Sequence, residues 1–130
     1  MTNSVIQKLV LFVFFGIVTS GCALDDDPSV TAKKDIAKPI LTEVTAVSSP
    51  TSDSTPNYTF NSTEAASISY AGSCTSTTTT AVSGDNTITF STLISGTYSD
   101  CTITVTDSSG NTSISLSVST FVIDATAPTV

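Results

Sequence analysis

The sequence predicts an all-β protein: an antiparallel β-sandwich of about seven strands, preceded by an export segment and a flexible tether. Three observations point there. From Pro39 onward no helical period is present. Short runs of alternating apolar residues are instead divided by Gly, Pro, Ser and Asn clusters at intervals of roughly ten residues, the spacing of a sandwich. Thr supplies 25 of the 130 residues and Ser another 22. A β-branched Thr suits a pleated surface, so the Thr runs read as strand rather than disorder.

The first 38 residues are read apart from the domain. Lys8 gives a positive start, and Leu9 to Val18 is apolar apart from Gly16. A membrane-spanning helix needs about 20 such residues, so this run is too short to span and fits the core of a removable export signal. Thr19-Ser20-Gly21-Cys22 follows. That ending resembles the lipobox of bacterial lipoproteins, in which the Cys becomes the first mature residue and its thiol is lipidated. Ser20 and Gly21 match; Thr19 stands where an aliphatic residue is commonest. The resemblance implies a signal peptide over 1–21, lipidation at Cys22 and the membrane as a partner through the anchor. Ala23 after the Cys resembles the default for forwarding to the outer membrane, with Asp25-Asp26-Asp27 similar to acidic tracts that accompany surface exposure. The alternatives are an ordinary secretory leader with an incidental Cys22, and a plain solvated acidic linker. Residues 22–38 mix charge with Pro28 and little apolar content, a flexible tether that holds Lys33, Lys34 and Lys38. From Pro39 to the end every charged side chain is acidic.

Strands are expected near 40–47, 57–62, 66–71, 76–82, 86–92, 97–106 and 112–123. Period-2 alternation turns Tyr58 and Phe60 inward, then Ile68 and Tyr70, Ile88 and Phe90, and Cys101, Ile103 and Val105. In the last strand Ile114, Leu116 and Val118 share a face, while Phe121 and Ile123 lie on the opposite parity. A bulge near Ser119-Thr120 would account for that slip, and a similar slip separates Tyr98 from Cys101. About a dozen large apolar side chains make a thin core, and a domain this small is marginal without a further constraint.

Leu93-Ile94-Ser95-Gly96-Thr97-Tyr98 has the L-x-x-G-x-Y form of a tyrosine corner, in which a Tyr hydroxyl ties an arch to backbone. Thr104-Val105-Thr106-Asp107 followed by Gly110-Asn111 resembles the T-V-T-D-x-x-G-N close of bacterial Ig-like repeats. Asp124-Ala125-Thr126-Ala127-Pro128-Thr129-Val130 resembles the linker that joins one repeat to the next. The resemblance covers roughly residues 39–130. It implies an Ig-like domain over 39–124, an inter-repeat type of linker or tail over 125–130, and structural roles for Gly96, Tyr98, Asp107, Gly110 and Asn111. An Ig-type strand order would make the third and sixth strands antiparallel neighbours and bring Cys74 to Cys101. A disulfide there is the expected pairing. A reactive or metal-binding thiol pair would need His, CxxC spacing or a basic neighbour.

The composition narrows function further. With no His, neither a Ser-His-Asp nor a Cys-His pair can form within the chain, and His-based zinc sites are out. With no Arg and a net charge of −7, no basic face exists for nucleic acid. Glu43 and Glu64 are the only glutamates, and nothing in the sequence pairs them for glycosidase work. No enzyme activity and no metal or other cofactor is expected. Calcium, which some Ig-like arrays bind, would need clustered carboxylates, whereas Asp53, Asp85, Asp107 and Asp124 are scattered singly. The expected function is a lipid-anchored surface protein with a structural or adhesive module and an unknown protein or glycan partner. The alternatives are an accessory carbohydrate- or protein-binding module and a remnant of a multi-repeat adhesin.

Overall fold

The computed structural model describes residues 33–126, which are all-β and contain no helix. One sheet joins β1 (Leu41–Thr45), β2 (Asn57–Ser62) and β5 (Gly84–Thr89) in that order. A second has the order β4 (Thr80–Ala81), β3 (Ala66–Ala71), β7 (Thr102–Thr106), β8 (Leu116–Ser117). A third ladder pairs β6 (Gly96–Tyr98) with β9 (Phe121–Ile123). Every strand pairing is antiparallel. Alternation explains the longer strands: in β2, Tyr58, Phe60 and Ser62 are buried, and in β7, Ile103 and Val105.

One core takes side chains from all three ladders. Its middle is a row of rings: Tyr58 lies 5.9 Å from Phe90, Phe90 6.1 Å from Phe121, and Phe121 5.2 Å from Tyr98. These are offset stacks within the attractive range for aromatic pairs. Cys74 and Cys101 form a disulfide with Cα atoms 5.2 Å apart, and both are buried. The β3–β7 ladder places them, since Ala71 faces Thr102 at its end.

The structure departs from the sequence expectations in three places. The expected strand over 76–82 shrinks to Thr80–Ala81. The Thr run ahead of it is held by scattered bonds: the Ser91 amide donates to Thr75, the Ile68 amide to Thr79 and the Tyr70 hydroxyl to Thr78. The Ser76 hydroxyl adds two more, donating to the Thr89 carbonyl and accepting the Thr78 amide, the kind of side-chain bond to backbone that competes with a ladder. Second, the expected strands 97–106 and 112–123 each break into two. The face presented to the core changes at the same level in both, between Tyr98 and Cys101 and between Val118 and Phe121. Because both strands change together, Tyr98 facing Phe121 and Thr102 facing Ser117 keep one register, and no bulge is needed at Ser119-Thr120. Third, the register of the last strand does shift, between the Thr106–Thr112 bridge and the Ile103–Leu116 pair. That extra residue inverts the expected faces. Ser113 is buried and bonds Val105 through both its amide and its hydroxyl, while Ile114 is 87% exposed.

Gly72 marks the turn beside the disulfide. Its φ is +80°, and a Cβ there would lie 2.0 Å from the Asp100 carbonyl oxygen. Gly72→Ala is therefore expected to cost well over 1 kcal/mol, because strain and backbone overlap act together. Urea unfolding of the variant checks it; unchanged stability would mean the turn relaxes freely.

Candidate binding edge

The segment from Asp35 to Thr51 runs parallel to the segment from Asn111 to Ile123, at the open edges of β1 and β8. Five ties fasten this seam. At one end the Asn111 side-chain amide donates to the Asp35 carbonyl, 3.2 Å away. At the other, the Thr51 amide donates to Val122 and the Asp124 amide to Thr51. Just before that, the Val122 amide donates to the Ser49 hydroxyl. Ser49 precedes Pro50 through a cis peptide bond.

Glu43 is the tie in the middle. A bulge in β1 between Glu43 and Thr45 re-aims the strand. One carboxylate oxygen of Glu43 accepts the Ser119 amide at 2.9 Å and the Tyr58 hydroxyl at 3.0 Å; the other accepts the Ser119 hydroxyl at 2.6 Å. Burial works to raise the carboxyl's pKa, but the bonds from Ser119 and Tyr58 outweigh it, so Glu43 sits below the usual range. Burial, and next the bond to Glu43, push the Tyr58 hydroxyl upward. Sequence reading could consider Glu43 only as an unpaired acid. Its partners are 15 and 76 residues away, so no local pattern announced them.

A pH dependence follows. Glu43 binds its proton less readily in the folded chain than in the unfolded one. The unfolded chain therefore takes up more protons, and stability falls as pH drops through and below about 4.3, the usual glutamate value. Glu43→Gln is expected to flatten part of this acid limb, measured as the urea midpoint between about pH 3 and pH 6. The remainder belongs to Asp100, Asp107 and Asp124, lowered by hydrogen bonds led by those from Ser73, Asn111 and Thr126 respectively. An unchanged slope in the variant would remove Glu43 from the account.

Beside the seam, residues 38–41 and 114–116 line a shallow apolar groove of about 300 Å³. Ile40 on its wall is 63% exposed, and Ile36 just before it 75%. At the same end Asp35, Glu64 and Asp107 bring their carboxylates within 4.8 Å of one another. The sequence suggested only single acids; the fold collects these three from the start of the domain and two turns. Asp107 is occupied: it accepts the Ser109 and Asn111 amides and the Asn111 side chain, each at 2.8 Å. A calcium ion asks for six to eight oxygens, and these three acids do not make such a cage.

The remaining residues singled out from sequence lie elsewhere. Asp107, Gly110 and Asn111 form the turn between β7 and β8, with the Gly110 amide donating to the Asp107 carbonyl and Gly110 at φ +88°. Tyr98 is buried in β6, and its hydroxyl donates to the Ile94 carbonyl at 3.0 Å. Gly96 opens β6 between them. Tyr98→Phe is expected to cost about 1 kcal/mol by removing that one bond. A thermal melt checks it, and an unaltered midpoint would show the bond to be replaceable. Cys22 lies outside the described residues. No family model matches the chain, and no match was found among curated proteins or solved structures.

Proposed function

We propose that the chain is an exported bacterial lipoprotein that presents one Ig-like β-sandwich, in a structural or adhesive role, from a lipid anchor at Cys22. Its place is the cell envelope, at the outer membrane and facing outward. The observation that carries the Ig-like part is strand order. With β1, β2, β3, β4, β5, β7 and β8 lettered A, B, C, C′, E, F and G, the sheets A-B-E and C′-C-F-G follow the Ig plan. The Tyr98 hydroxyl bond adds to it, whereas the Cys74–Cys101 disulfide joins the C and F ends of one sheet and departs from the inter-sheet B–F bridge of antibody domains. The anchor rests on the leader and the Thr19-Ser20-Gly21-Cys22 ending.

The adhesive role rests on what is exposed. Tyr58 and Tyr98 are buried and Tyr70 is half-buried with its hydroxyl engaged, so sugar-stacking faces are scarce among the described residues. Edge and loop contacts with a protein suit this surface better. Mass spectrometry of the mature amino terminus is expected to find an acylated Cys22 as its first residue; an unmodified cysteine overturns the anchor. A pull-down beside a glycan array, both with the mature protein, tests the role. A retained protein with a silent array is expected, and glycan binding alone would move the reading to a carbohydrate accessory module.

A further inference from the structure

We infer that the threonine run Thr75–Thr80 is an acceptor site for O-linked neutral sugars. Six hydroxyl residues in a row, Thr75-Ser76-Thr77-Thr78-Thr79-Thr80, follow Cys74. All five threonines are exposed, and only Thr80 belongs to a strand. The run is nevertheless fixed in place. The Ser91 amide holds it at Thr75, and the Ser76 hydroxyl bonds the Thr89 carbonyl at the end of β5. From β3, the Ile68 amide and the Tyr70 hydroxyl hold Thr79 and Thr78. The segment thus crosses from β5 in one sheet to β3 in the other. These bonds occupy main-chain carbonyls and the Ser76 hydroxyl. None of the five threonine hydroxyls has a partner among the described residues. Several exposed threonines elsewhere do have one: Thr87 bonds Thr59, Thr89 bonds Asn57 and Thr112 bonds Thr106.

Free hydroxyls held in an exposed connecting segment are open to a transferase, since no strand has to leave a sheet. Dense Ser and Thr is also the composition that carries O-linked sugars. Charge decides which group the hydroxyls take. From Pro39 onward every charged side chain is acidic, so a phosphoryl group here would meet no cation and would add repulsion. A neutral sugar adds no charge. The donor is a sugar activated as a phosphate ester. In each transfer a threonine Oγ1 bonds the anomeric carbon of the sugar, and that carbon's bond to the phosphate breaks. The phosphate leaves with the bonding electrons, and the hydroxyl proton passes to the transferase. The site goes beyond the reading above and does not depend on the anchor at Cys22.

Mass spectrometry of the mature protein, purified from the cells that make it naturally, tests this. After reduction of the disulfide, cleavage at Glu64 and Asp85 isolates the run within residues 65–84. That fragment is expected to carry whole-sugar mass increments, which electron-transfer fragmentation places on Thr75–Thr80. Valine at all five threonines keeps the branched shape and should abolish the increments, while Thr97→Val, at an exposed threonine elsewhere, should leave them unchanged. Thermal melts check that both variants fold. A bare fragment, a phosphoryl or acyl group on the run, or sugar that survives the valine variant would each overturn the inference. Cys22 is observed in the same spectrum. An acylated Cys22 beside a bare run overturns this inference alone; an unmodified Cys22 beside a glycosylated run overturns only the anchor.

Discussion

Phe121→Ala is expected to destabilise the domain by about 3–5 kcal/mol, the usual cost of emptying a buried phenylalanine site. Phe121 is 1% exposed and stacks on Phe90 on one side and Tyr98 on the other. Removing it opens a void between two rings, of which Tyr98 is held by its hydroxyl bond to Ile94 and Phe90 by its backbone amide bond to Pro56. The Tyr98 ring cannot move in without losing that bond, which keeps the cost within this range. Urea unfolding measures it. A loss below about 1.5 kcal/mol, the scale of a volume-conserving swap, would show that the core repacks and that the ring row is not its centre.

The second large effect concerns the disulfide. Cys74 and Cys101 are 27 residues apart in sequence, and closing a loop of that size is worth about 3.5 kcal/mol on the chain-entropy estimate. In a domain of this length that corresponds to a melting midpoint lower by roughly 15–25 °C. Cys74→Ala/Cys101→Ala should show it, and reduction of the native protein should approach the same value. The small core sharpens the expectation, because total stability in such domains is only about 5–15 kcal/mol. Equal midpoints with and without reductant would mean that packing alone holds β3 against β7.

How much of this was legible in the sequence depends on how far apart the deciding residues lie. β2 and β3 fall where alternation put them, because Tyr58/Phe60 and Ile68 declare their faces within six residues each. The same rule misplaced Ile114. A register shift upstream of Leu116 turned its face outward, and that shift depends on which residue of β7 the strand meets. Two other features had no local signature at all. Glu43 reaches Ser119 across 76 residues, and Asp35, Glu64 and Asp107 are single acids until the fold gathers them. The charge distribution was readable as composition, since all four lysines precede Pro39, but not as a surface.

The seam between the first and last strands has a mechanical consequence. Asp35 lies beside Asn111, whereas Asp124 lies beside Thr51, so the described chain enters and leaves at opposite ends of two parallel neighbours. Tension between the two ends slides one segment along the other. The ties at Asp35, Glu43, Ser49 and Thr51 are then loaded together, as in a lap joint, instead of peeling apart singly. A domain fastened in this way holds its shape under a pull until several hydrogen bonds fail at once.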